Sequence, residues 1–171
     1  LFFLCLFLTL DAQNWTVGAK WIYWQDEFFP DPDEKYRTFT KEKDTLIQNR
    51  LCSQILEKFV RISNNTIIES PQGRHFFWQE DQKVFVFEPD SMQFFPLYDF
   101  SKTTGDTLVT YCAETNKTVN LVIDSVAISN LGSQALTVQW VHSAGGGSCY
   151  MYGPIYERIG HSAYLFARPG F

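Results

Sequence analysis

"HFFWQEDQKVFVFEP", residues 75–89, decides the class of fold. Two aromatic runs flank the polar QEDQK, which is the signature of a β-hairpin. Beyond the turn, Val84 and Val86 point opposite to Phe85 and Phe87, so both faces of that strand are apolar. Such a strand lies centrally in a sheet or is covered on both sides. C-terminal to it come LVTYC (108–112), VNLVIDSVAI (119–128) and ALTVQWVH (135–142), the last two joined across SNLGS as a second hairpin. N-terminal to it, KYRTFTKEKDTLI (35–47) alternates Tyr36 with Arg37 and Phe39 with Thr40, a strand with one wet face. RLCSQILEKFVRI (50–62) also suits a helix through Leu51, Ile55, Leu56 and Phe59. Strand is preferred, because Val60 and Ile62 continue an alternating set that SNN ends. WTVGAKWIYW (15–24) has the density of a strand, while FFPDPDE (28–34) and SAGGGS (143–148) read as loops. Strand-like runs recur about every 10–15 residues with no amphipathic helix between them. The expectation is all-β: a single antiparallel β-rich domain, built as a barrel-like or clam-like meander or as a two-sheet sandwich. There is no fixed internal repeat and no domain-scale linker.

Composition agrees. The 171 residues are 45% hydrophobic and 19% charged, enough for one domain with a real core. Aromatic residues make up 17%, with sixteen Phe, eight Tyr and five Trp, and rings fit a pleated, half-buried surface. Fourteen basic against nineteen acidic residues leave a net charge of −5. That balance repels phosphate backbones, and no Lys/Arg cluster offsets it, so nucleic acid is not expected as a partner.

The opening LFFLCLFLTL is apolar and stops abruptly at DAQNW. Such a run would span only about half a bilayer as a helix. It reads as the end of a signal peptide, with Ala12 marking the cleavage point and Gln13 the first mature residue. Residues 1–12 are therefore expected to be a partial signal peptide, and 13–171 a β-rich domain, secreted or at the cell surface, without a membrane span. Cys5 leaves with the signal; Cys52, Cys112 and Cys149 stay. No CxxC or Cys/His pair stands at zinc-ligand spacing.

LYDFSKTTGDT (97–107) interrupts the aromatic runs with Asp99, Gly105 and Asp106. Carboxylates near a glycine are calcium-loop residues, but these two acids lie seven apart with Lys102 between them. The favoured reading is a turn, with Gly105 at positive φ and Asp106 capping it. No metal or cofactor is expected. For catalysis, no GxSxG elbow accompanies His75, His142 and His161. Cys149 with His142 or His161 would form a thiol pair, although Cys149 serves equally as half of a disulfide. Glu157, in IYERIG, is the best single acid for a hydrolase using paired carboxylates. Its simpler role is an outward residue paired with a neighbouring cation. Trp21, Tyr23, Trp78 and Trp140 are the candidate binding rings, suited to stacking on sugars or to an apolar ligand.

LYDFSKTTGDT also resembles the "LYDF…GDT" segment of a group of secreted Bacteroidetes proteins, many of which carry a C-terminal sorting domain for type IX secretion. KDTLIQNRLCSQIL is similar to their "DTTI.G..C..I" segment, FFWQEDQKVFVF to their "Y..E..GKVY.Y" hairpin, and IYERIGHSAYLF to their "EGIGS..YLF" ending. These pieces span most of residues 15 to 166 in the expected order. Asn49 stands where that group usually has Gly, and Arg158 and His161 interrupt the closing motif. The resemblance implies an exported protein, truncated at the C-terminus, whose partner is the type IX secretion machinery if a sorting domain follows. It supplies no catalytic residues. It also implies a further cysteine beyond Phe171, and within the chain any disulfide is expected to join Cys112 to Cys149, which follows a flexible glycine-rich loop.

The function these readings favour is a non-enzymatic exported module binding a protein, carbohydrate or apolar ligand. The alternative is a secreted hydrolase using carboxylates such as Glu157. A hydrolase requires acids converging in one cleft; a binding module requires a cleft lined by rings.

Overall fold

The computed structural model describes residues 15–24, 33–113, 115, 117–145 and 149–169. The expected mature start at Gln13, Cys5, and most of the FFPDPDE and GGGS loops lie outside the described residues. Six strands form the first sheet in chain order: β1 (Lys20–Trp24), β2 (Glu34–Ile47), β3 (Arg50–Ser63), β4 (Thr66–Glu80), β5 (Lys83–Glu88) and β6 (Gln93–Asp99). Next come β7 (Thr107–Cys112), β8 (Lys117–Leu131), β9 (Gln134–Ser143), β10 (Cys149–Tyr150), β11 (Tyr152–Tyr156), β12 (Gly160–His161) and β13 (Arg168–Pro169). The second sheet runs β12-β11-β9-β8-β7, and β10 pairs with β13 as a short ribbon. Every pairing is antiparallel, and the two larger sheets curl as facing half-barrels. The molecule is all-β.

Turn chemistry sets the meander. Gln48–Asn49 and Asn64–Asn65 take positive φ at both central positions, the geometry that lets a two-residue turn follow the strand twist. Asn tolerates that conformation, which accounts for Asn49 at a hairpin position otherwise suited to Gly. The curl comes from register shifts at Glu42, Gln72, Leu97 and Asp124, each an extra residue that bends its strand. One expectation changes: only residues 20–24 of WTVGAKWIYW are strand. Gly18, at φ +87°, turns the chain, and the Ala19 amide donates to the Thr16 carbonyl at 2.9 Å.

The core fills the space between the sheets. From the first sheet come Phe39, Ile55, Phe77, Val84, Val86, Leu97 and Tyr98; Leu108, Tyr111, Leu121, Ile123 and Val141 face them from the second. The strand that opened the sequence reading is paired on both edges, to β4 and β6. Val84 and Val86 point into the core, while Phe85 joins Trp78 and Phe94 on the outside, under the Arg50 guanidinium. Both of its faces are therefore covered. The segment from His161 to Ala167 crosses back over the first sheet as a strap. Leu165 and Ala167 are buried, and the fully buried Tyr98 hydroxyl donates to the Leu165 carbonyl at 2.5 Å.

Candidate functional site

Strand alternation places Arg37 and Phe39 of β2, Glu57 of β3 and His75 and Phe77 of β4 on the concave face of the first sheet. Register brings Phe39 beside Glu57 and, one row further along, His75 beside Ile55, so these side chains form a patch across three strands. Tyr23 of β1 continues the patch at its edge, opposite Arg37. The strap covers this patch, and between them lies a cavity of about 180 Å3. Its apolar walls are Phe39, Phe166, Leu165 and the small side chains Ala113, Ala163 and Ala167. Phe166 meets Phe39 edge-on at 6.3 Å and stacks on Phe77 at 5.9 Å, so the strap docks through ring contacts.

Glu57 is the one acid among the described lining residues, and its charge is fully answered. Arg37 Nη1 donates to Oε1 at 2.7 Å, and His75 Nε2 meets Oε2 at 2.8 Å. Burial pushes the Glu57 carboxyl up, but the hydrogen bonds and charges of His75 and Arg37 outweigh it and hold the group below its ordinary range. Because Nε2 faces a carboxylate, it is the ring nitrogen that donates. Tyr164 and Tyr23 are the hydroxyl-bearing liners, and the Tyr164 hydroxyl is spent on the Tyr152 backbone. The Tyr23 hydroxyl is buried with no protein partner, and burial pushes its ionisation far above the ordinary tyrosine range. An unanswered buried hydroxyl costs roughly 1–3 kcal/mol. The arrangement offers rings and an ion pair that answers itself, and among the described lining residues no second carboxylate for acid–base work.

The four candidate rings do not converge. Tyr23 lines the cavity. Trp21 is half-buried, packed edge-on against Trp15 at 4.8 Å. Trp78 lies on the outer face of the first sheet beneath Arg50, whose guanidinium carbon is 4.1 Å from its ring centre. Trp140 is 46% exposed on the outer face of the second sheet, between the buried Gln139 and Val141. The cluster that sequence reasoning missed is Arg37, Glu57 and His75. Arg37, expected on the wet face of its strand, instead shares the concave face with Phe39.

The other chemical candidates have structural roles. Glu157 follows β11, away from the cavity, and its carboxylate accepts the Thr137 amide at 3.1 Å. Asp106 accepts the Thr103 amide at 2.8 Å, Asp99 accepts the Ser101 amide at 3.0 Å, and Gly105 sits at φ +90°. Each acid thus closes its own local turn. Among the described residues no group of three His, Cys, Asp or Glu gathers as metal ligands. His142 pairs with Asp124 at 2.7 Å on the surface. His161 is buried, its Nε2 on the Tyr152 carbonyl at 3.0 Å and its Nδ1 on the Ala163 amide at 3.1 Å. Burial lowers its ionisation to about 4, so it stays neutral.

Cys112 and Cys149 are joined by a disulfide, with Cα atoms 6.4 Å apart. Cys52 is free and buried, and burial pushes its thiol up to about 11, which leaves it unreactive. The disulfide ties the end of β7 to β10, which in turn pairs with β13 just beyond the strap. Comparison with known proteins gives no match to any family model, curated protein or solved structure.

Proposed function

We propose that this is an exported, non-enzymatic β-domain, released or held at the cell surface, that binds a small apolar ligand beneath the strap. The observation that carries the reading is a ring-lined cavity whose single acid is already neutralised on both oxygens. Preformed, mostly apolar cavities with a few fixed polar groups are the usual form of a ligand site. A disulfide fits an oxidising compartment, which supports export. The resemblance to secreted Bacteroidetes proteins supports it too, and passage by type IX secretion is part of the proposal wherever a sorting domain follows. The hydrolase alternative draws no support from Glu157, whose carboxylate is engaged by a backbone amide.

The test is a calorimetric titration with toluene, a neutral single-ring apolar probe. Ala163 is an exposed liner of the cavity, so Ala163→Trp fills the opening without touching the core. Saturable binding to one site, lost in that variant, is the expected result. Unsaturable binding, or identical binding by the variant, contradicts the reading. Turnover of ester or glycoside substrates that disappears in Glu157→Gln would restore the hydrolase.

A further inference from the structure

Strand β8 runs on past the end of β7. Its pairing with β7 stops at Val122, and the Gly105–Asp106 loop holds Ile123. From Ser125 to Leu131 it is paired to β9 alone among the described residues. A two-residue turn at Gly132–Ser133, with Gly132 at φ +61°, makes Leu131 and Gln134 the closing hydrogen-bonded pair. Alternation then aims the amides and carbonyls of Ser125, Ala127, Ser129 and Leu131 at β9, and those of Val126, Ile128 and Asn130 outward. All three outward residues are exposed, Ile128 by 68%.

Unpaired strand edges invite other chains, and folded proteins guard them with charge, proline or cover. Two other edges of this molecule are guarded in that way. On β4 the same alternation puts Ile67, Glu69 and Pro71 at the free edge, which brings a carboxylate and a residue with no N–H. On β9, Glu157 spends its amide and its carboxylate on Thr137, at 2.8 and 3.1 Å. The β8 edge has neither device, for no charged residue and no proline occurs from Ser125 to Val141.

Charge and register name the occupant. Each copy of the chain carries a net charge of −5, so two copies repel wherever charged surfaces meet. The β8 edge is a stretch that two copies can bring together without opposing like charges. It is also its own complement. Laid antiparallel about Ile128, Val126 of one copy meets Asn130 of the other and Ile128 meets its counterpart, so every outward amide and carbonyl is matched. Such pairing uses one patch on both copies and closes after two.

We propose that Ser125–Leu131 pairs antiparallel with the same segment of a second copy, joining two five-stranded sheets across a two-fold axis at Ile128. This interface shares no residue with the cavity beneath the strap.

Sedimentation equilibrium of the purified protein tests it. The interface is small, so association should be weak and develop between about 10 µM and 1 mM. Weight-average mass should rise to twice the monomer value and stop there. Ile128→Pro removes an outward N–H and leaves the β8–β9 ladder whole. Ile128→Lys sets two cations opposite each other on the axis, although it cuts the net charge by one unit and so lessens general repulsion. Both variants should melt close to the wild type and stay monomeric. Leu46→Lys, at an apolar residue 66% exposed on β2, should dimerise as the wild type does. A wild-type protein still monomeric at the highest concentration, a dimer that persists in either Ile128 variant, a mass that climbs past twice the monomer value, or loss of the dimer in Leu46→Lys would overturn the proposal.

Discussion

His161 is the residue where the fold is most exposed to acid. Its ring is buried, stacks on Tyr164 at 4.1 Å, and spends both nitrogens on backbone groups that suit only the neutral form. In an unfolded chain a histidine takes up its proton near pH 6.5. Here it does so only near 4. Between those values the unfolded state binds the extra proton, so stability is complete above the unfolded value and drains away as pH falls to the folded one. The loss should total roughly 3 kcal/mol and then level off. Urea midpoints measured from pH 7.5 to 4 should fall in that window, and His161→Gln should flatten this part of the profile. Glu57→Gln acts differently: it removes the charge that Arg37 and His75 both meet. It should destabilise the protein by about 2 kcal/mol at neutral pH, less than for a fully buried pair because Arg37 reaches solvent. Chemical denaturation measures it directly.

The strap and the Cys112–Cys149 disulfide act as one element. Cys149 pairs in register with Pro169, so the bond at the end of β7 also fixes the chain just past Ala167. Replacing both cysteines by serine should cost about 4 kcal/mol in the chain-entropy account, given the 37-residue separation. The same replacement should weaken ligand binding, because the roof of the cavity is no longer anchored. Thermal melts and the toluene titration, run on the same variant, separate the two effects. At this scale the sequence was most readable. The β-rich patterning of 35–47 and the doubly apolar strand at 84–87 specify strands, because such patterning is a local property, although the bulge at Glu42 breaks the alternation of the first. The reading of 15–24 was too long because density of rings outweighed Gly18, whose positive φ ends the strand. The site was far less legible. Trp21, Tyr23, Trp78 and Trp140 were grouped by residue type, but the faces they occupy depend on register shifts such as those at Glu42 and Gln72. Nor does any local pattern tell that Arg37, Glu57 and His75 meet, since pairing across three strands creates the contact.

For the molecule as a whole, two curled sheets close over a common core, and the strap roofs a half-open cleft beside it. The outer faces carry their own rings, Trp78 over Arg50 and Trp140 in the open, so an aromatic binding surface on the exterior is the direct competitor to the internal cavity. Backbone amide chemical shifts recorded while toluene is titrated into the isotopically labelled protein decide between them. The account predicts that saturating shifts cluster at Tyr23, Arg37–Phe39, Glu57, His75 and Ala163–Ala167. Shifts centred on Trp78 or Trp140, with the strap unmoved, would contradict it.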